Sequence, residues 1–349
     1  MPKTWIEEIE DLSPAVLTVR AQAQSVTDQG RLYWNGFMPR RDVNSTTLDD
    51  VTTLDFRPVA DRREWNQRGR LLPKRIPPRR QIKIVPIEMY DLIGEEEMQK
   101  LMMRFNGDQA LVAGEMAVDI PSRVDQMALG DYRRLELDMF EAWLNGSITQ
   151  RHPQTGETFA ASFGIDSSRI TTALTAWDDA GVNAYDELVA WYEDGLEAVG
   201  AGRGVALRLA TLRAIQADAP DLANGVQMTR AQLAERVQDD LGAPFEFIVI
   251  EDTVDLPTDG GTATSSTKVF EAGNVAFVPA DNRIGSSAFV PVLRAYDLVR
   301  QFPQAGIDTR GVTVFYDEEI TGRELRIEAQ LNAMPIPDEQ RVWVIDAGV

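Results

Sequence analysis

Residues 122–145, SRVDQMALGDYRRLELDMFEAWLN, constrain the fold more than any other stretch. Val124, Ala128, Tyr132, Leu135, Met139 and Trp143 recur with the 3.6-residue period of one helical face. Ser122 can cap the first turn and Asp125, three residues on, completes a loose capping box. Pro121 predicts that the helix starts no earlier, and Asn145-Gly146 supplies the exit. At 1.5 Å per residue such a helix is about 36 Å long, the width of a small domain. Arg123, Asp131, Arg134, Glu136, Asp138 and Glu141 read as its wet face, so the helix is amphipathic and not membrane-spanning.

A chain of 349 residues predicts about two domains with real cores. No run approaches the roughly 18 apolar residues that a bilayer span needs. MPKTWIEEIEDL at the start lacks a hydrophobic signal core, which predicts a cell-internal origin. The chain has no cysteine and one histidine, His152. That removes thiolate nucleophiles, cysteine zinc clusters, disulfides and histidine-based triads. His152, beside Pro153, reads as a turn residue. The adjacent acids Asp178-Asp179, Asp239-Asp240 and Glu318-Glu319 do not face each other across a cleft, as paired catalytic carboxylates must. Gly200-Ala-Gly202-Arg-Gly204 follows a helix and lacks the Lys-Ser/Thr of a phosphate loop, so it reads as a helix exit. No catalytic, cofactor-binding or metal-ligating residue is predicted.

Charge is distributed unevenly. The total is −20, and only five of 35 basic residues are lysines. Arginine suits forked contacts with carboxylates. From 57 to 83 ten basic residues (Arg57, Arg62, Arg63, Arg68, Arg70, Lys74, Arg75, Arg79, Arg80, Lys83) stand against Asp61 and Glu64, a local +8 that leaves −28 elsewhere. Pro73, Pro77 and Pro78 forbid a helix there. DVNSTTLDDVTTLDFRP before it reads as extended chain, so the simplest picture is a long hairpin with a basic tip. Its arginines and Lys74 are the candidate inter-subunit contact residues. A nucleic-acid arm, with Trp65 as a stacking ring, is the rival reading.

Along the rest of the chain, Trp5, Ile6, Ile9 and Leu12, then Tyr33, Trp34 and Phe37, need cover from the body or a neighbour. QIKIVPIEMYDL (81–92) reads as one strand, and EEEMQKLMMRF as a short helix with Arg104 near its negative end. SITQRHPQTGETFAASFGI (147–165) is a hairpin signal. Asn183 caps a helix with Tyr185, Leu188, Tyr192, Leu196 and Val199 on one face; Thr229 opens another with Leu233 and Val237 inward and Gly242 as stop. FEFIVI (245–250) and NVAFVP (274–279) read as buried strands, with a mobile loop, DLPTDGGTATSST, between them. VTVFYDEEI, RELRIEAQL and RVWVID (341–346) return to strands, the second alternating Leu325, Ile327, Ala329 and Leu331 with polar residues.

The order of these parts, with "IKIVPIEMYDLIGEEEMQKL", "EAWLNGSI" and "QRHPQTGETFAASFGI" in sequence, resembles the lambda-type major capsid protein family of tailed bacteriophages. The resemblance implies the α+β Hong-Kong-97-type fold: an N-terminal arm (1–35), an extended loop (36–85), a peripheral domain with a spine helix (86–165), an axial domain (166–304) and C-terminal strands of the peripheral domain (305–349). VALRLATLRAIQADAPDLA (205–223) matches the strand-then-helix step of that axial domain. It further implies a structural, non-enzymatic subunit forming hexamers and pentamers of an icosahedral head around non-specifically packaged DNA. Portal, decoration and scaffold or protease proteins would be separate partners, the location the virion, assembled in the host cytoplasm. Cross-linking through Lys74 is not expected of the lambda type. An encapsulin-like cargo shell is the alternative within the fold.

Overall fold

A computed structural model describes residues 12–29, 32–51, 79–151, 158–179, 181–219, 227–257, 264–318 and 325–349. The N-terminal segment forms α1 (Pro14–Gln29) and the single turn α2 (Trp34–Phe37), followed by β1 (Arg40–Asp42) and β2 (Thr47–Val51). Then come β3 (Arg79–Lys83), β4 (Ile87–Ile93), α3 (Glu95–Arg104) and the long α4 (Gln109–Asn145). The hairpin β5 (Ser147–Arg151) and β6 (Thr158–Ser162) follows, then β7 (Ile170–Thr172), α5 (Ala184–Val199), β8 (Gly202–Leu207), α6 (Leu209–Asp218) and α7 (Arg230–Leu241). After them lie β9 (Glu246–Val249), β10 (Thr253–Pro257), β11 (Thr264–Lys268), β12 (Asn274–Pro279), β13 (Gly285–Phe289) and α8 (Leu293–Gln301). The chain closes with β14 (Thr313–Glu318), β15 (Leu325–Leu331), β16 (Ala333–Pro337) and β17 (Val344–Asp346).

α4 starts thirteen residues before the position that the proline predicts. Asn106 and Gly107 turn the chain with positive φ, and the Asp108 carboxylate accepts from the N–H groups of Ala110 (3.0 Å) and Leu111 (3.4 Å) as the true cap. Pro121 lies inside the helix, where it cannot donate to the preceding turn, a cost of about 3 kcal/mol. Val112, Met116 and Ile120 before it and Val124 after it are all buried in one core, and that continuous burial offsets the missing bond. Ser122 is exposed, and Asp125 instead takes a forked contact from Arg20 of α1, at 2.7 Å from Nη2 and 3.1 Å from Nε.

The expected wet face is also corrected. Asp131, Glu136 and Asp138 are buried, because α1, α2 and the sheets surround the later turns of α4. Asp138 is paired with Arg134 at 2.7 Å, and Glu136 accepts from the Tyr33 N–H. The N-terminal aromatic residues pack on the body: Trp34 stacks on Tyr132 with ring centroids 5.8 Å apart, and Phe37 lies 5.0 Å from Trp143. Thr18 and Tyr316 tie the same segment down, the Thr18 hydroxyl accepting from the Val314 N–H and the Tyr316 hydroxyl donating to the Leu12 carbonyl. Trp5, Ile6 and Ile9 lie outside the described residues.

α4 packs against β4 and β15 of the sheet β14-β15-β4 and against β16 of the sheet β1-β13-β16; the largest sheet has the order β7-β17-β12-β8-β9. In the five-stranded sheet Val205, Leu207, Val275, Phe277 and Ile345 point to a core with α5, α6 and α7. Their alternates Ala206, Ala276, Val278 and Val344 point to the core of α4, so both faces are dry. Gly204 is required by close strand approach: a Cβ there would stand 1.9 Å from the Glu246 carbonyl oxygen. Gly200 ends α5 at φ 106°, the predicted exit.

Other expectations shift with local causes. The strand predicted over 81–92 is two, broken before Pro86, and they join different partners, β3 with β2 and β4 with β15. The loop predicted between FEFIVI and NVAFVP contains the antiparallel pair β10 and β11, with residues 258–263 outside the described ones. β9 buries only Phe247 of its four residues, since it lies at the sheet edge. RVWVID contributes only its last three residues as β17. The helices capped by Asn183 and Thr229 match their predicted bounds, and the latter has a full capping box.

Candidate assembly surfaces

Among the described residues no group of three or more His, Asp or Glu side chains could hold a metal ion. His152 lies outside them, as does Glu319. Asp178 and Asp179 are exposed, and Asp240 accepts from the Tyr185 hydroxyl at 2.6 Å.

Of the candidate contact residues, Arg57, Arg62, Arg63, Arg68, Arg70, Lys74 and Arg75 lie outside the described residues. Arg79 and Arg80 belong to β3, where they pair with Val51 and Asp50 of β2. The two feet of the predicted hairpin are therefore antiparallel strands. Ile82 and Ile84 root it in a small core with Ala142, Ile148, Phe163 and Met334, near the Gly146 end of α4. Gly146 itself adopts φ 64° as the helix cap.

A surface that the sequence did not single out lies halfway along α4. β4, β10 and α4 enclose a groove of about 690 Å³. Its apolar lining includes Met89, Met127, Leu137 and Leu256, and its acids are Glu88, Asp91, Asp131 and Asp255. β4 is an outer strand of its sheet, with Met89, Tyr90 and Leu92 all more than a third exposed. Asp131 is 1% exposed, and its Oδ2 has no hydrogen-bond partner. Burial pushes its carboxyl well above the usual range, and nearby Glu88 adds to the shift. Arg123 is held by Asp91 (2.9 Å), Asp119 (2.7 Å) and Glu97.

On the far side of Leu129 a smaller recess of about 350 Å³ is lined by Leu32, Arg133, Glu136 and Asp252. Burial pushes the Glu136 carboxyl up to about 7, opposed by the N–H groups of Tyr33 and Trp34 and reinforced by Asp252. The Glu136 carboxylate anchors α2 by accepting from the Tyr33 N–H.

No protein-family model matches the chain, and no curated protein sequence does. Solved structures do. A protein assigned as a prophage capsid protein from E. coli CFT073 superposes with a TM-score of 0.50 at 12% identity, covering 93% of this chain and 98% of its own. A phage-related protein of Bordetella bronchiseptica RB50 gives 0.49 at 12% identity, with 96% and 97% covered. The capsid of Myoviridae phage XM1 gives 0.48 at 13% identity, with 89% and 88% covered. The first covers nearly all of both chains in one superposition, at an identity where only the fold is shared. The chain has the Hong-Kong-97-type fold of phage capsid proteins.

Proposed function

We propose that the chain is the major capsid subunit of a tailed-phage head, of the lambda type, assembling as hexamers and pentamers into an icosahedral shell around DNA. The observation that carries this reading is the match to a prophage capsid protein over 93% of the chain. The subunit's mechanism is assembly: many weak contacts, summed over every copy, close a strong container. The division into arm, extended loop, peripheral and axial domains belongs to the same proposal. Pairing of β17 with β12, and of β13 with β16, supports an axial domain that takes in the last strand and gives up β13. Portal, decoration and scaffold or protease proteins are the expected further partners.

The basic stretch 57–83 is assigned to contact with neighbouring copies, because the remaining −28 of the chain supplies carboxylates for its arginines. Each exposed pair is worth roughly 0.2–1 kcal/mol, multiplied over every subunit of a shell. Electron microscopy of the purified protein should show closed particles. Replacing Arg62, Arg63, Arg68 and Arg70 by Glu should leave near-native circular dichroism but yield monomers or small oligomers in sedimentation. Intact shells from that variant, with loss of nucleic-acid retention, would give the stretch to the nucleic-acid reading instead. Particles filled with a protein cargo and no DNA would favour the encapsulin-like alternative.

A further inference from the structure

We propose that Thr18 and Gln22 of α1 guard the open edge of β14 against pairing with the same strand of a second copy of this chain. The proposal concerns the isolated subunit and does not depend on the shell reading.

β14 is an outer strand. It pairs with β15 on one side and, among the described residues, with no strand on the other. The stretch GVTVFY (311–316) has no charge and no proline, and every residue after the glycine is β-branched or aromatic. A segment of that kind with a free edge is a template for another chain. Two identical strands can pair antiparallel about a twofold axis, so a second copy supplies a ready partner.

A helix cannot close such an edge with its backbone, because its own N–H and C=O groups are used along the helix. Side chains must do it, and the edge presents donors and acceptors together. A carboxylate only accepts, and an ammonium or guanidinium only donates, whereas a hydroxyl and a primary amide do both. α1 places one of each there, four residues apart on one face. The buried Thr18 hydroxyl accepts from the Val314 N–H at 3.0 Å and stands 3.5 Å from the Val314 carbonyl oxygen. The Gln22 amide donates to the carbonyls of Val312 (3.0 Å) and Asp308 (2.8 Å) and accepts from the Asp308 N–H at 3.0 Å. Gly311 leaves room for it, since a Cβ there would stand 3.0 Å from the Gln22 amide nitrogen. Leu17 and Ala21 supply the apolar packing of α1, so the hydroxyl and the amide serve the edge.

The test uses the full-length chain at a concentration where wild type is dissociated. Thr18→Val combined with Gln22→Leu removes the edge bonds and keeps apolar volume. Circular dichroism should match wild type, because the packing face of α1 is untouched. With the Val314 N–H left unpaired α1 opens more often, and hydrogen exchange at that amide should become about tenfold faster or more. A synthetic peptide of residues 311–318 should bind the variant and slow that exchange, yet leave wild type unchanged. A scrambled peptide of the same composition should do neither. At higher concentration the variant should show intermolecular antiparallel strands in infrared spectra and irregular aggregates in electron microscopy. Wild-type exchange at Val314 with no peptide binding overturns the proposal. Faster exchange with neither peptide binding nor aggregation also overturns it, leaving the two side chains as ties for α1 alone. Should the double variant fail to fold, Thr18→Val is compared with Thr18→Ser, which keeps the hydroxyl. Exchange at Val314 should rise, and the peptide bind, only in the first, and equal behaviour of the two overturns the guard role.

Discussion

β12 and β4 are both apolar-rich strands, NVAFVP and IEMYDLI, yet all six residues of the first are buried and only Ile93 of the second is. Position in the sheet makes the difference. β12 lies between β17 and β8 with a core on each face, while β4 has β15 on one side only. Each residue of β12 is thus used by the subunit itself, whereas Met89 and Leu92 stay 47% and 39% exposed and the Tyr90 ring is covered by the Arg326 guanidinium. Met89 points toward α4, where it meets Gly130, and Leu92 points to the other face of the strand, so each face of β4 keeps one half-open apolar group. One strand holds the subunit together; the other is left for what binds it.

The comparison breaks most readily at Phe277. It is fully buried, its ring 4.9 Å from that of Tyr192, and a Cβ on Gly195 of α5 would come within 2.9 Å of it. Phe277→Ala should cost about 3–5 kcal/mol, a large share of a typical 5–15 kcal/mol stability. The expected outcome is an insoluble protein or a sharply lowered melting temperature. A variant that melts like wild type would show that the five-stranded sheet is not the rigid centre.

What the sequence could show follows the same division. Local chemistry was legible: Asn183 and Thr229 are caps, and Gly146 and Gly242 are left-handed exits, because each acts within one turn of chain. The hairpin at 147–165 was legible because its two strands are joined by a short turn. Features decided by distant neighbours were not. Pro121 is a breaker by propensity, and only the buried stripe from Val112 to Val124 overrides it. Asn106-Gly107-Asp108 held the signal for the true start, a turn followed by a cap. Asp131, Glu136 and Asp138 read as a solvated face because one helix's period cannot reveal how many elements surround it. β16 was hidden by Pro335 and Pro337, tolerated because it is an edge strand paired only with β13. The groove was illegible altogether, since it joins residues 87–91, 123–137 and 254–256.

Beneath α2, Glu136 offers a smaller effect with a defined sign. Its carboxyl is raised from an ordinary 4.5 to about 7, with burial as the main cause and Asp252 adding to it, while Tyr33, Trp34 and Arg133 act the other way. A raised carboxyl makes the folded state bind protons more tightly than the unfolded one. The stability it contributes is therefore complete below about pH 4.5 and lost as pH rises through 7. The difference amounts to roughly 3 kcal/mol across that window. Glu136→Gln keeps an acceptor for the Tyr33 N–H but cannot ionise. Its urea midpoint should lack this fall between pH 5 and 8 when compared with wild type. Parallel pH profiles for the two proteins would mean that water reaches Glu136 and that the seam beneath α2 is open.

The smallest effect is expected at Leu92, and it tests the other half of the comparison. Leu92 is 39% exposed on the outer strand, so the isolated subunit gains little from it. Leu92→Thr keeps strand propensity and removes apolar surface from the open face. In the dissociated subunit the change should lie within about 0.5 kcal/mol of wild type, as for most surface substitutions. If β4 is covered by another copy in the shell, the same change should raise the concentration needed for half-association, because the lost apolar area is buried only there. A melting temperature lowered as far as that of Phe277→Ala would show that β4 serves the subunit's own core after all. Unchanged melting with unchanged association would instead leave this face of the sheet solvated in the assembled particle, and place the contact elsewhere.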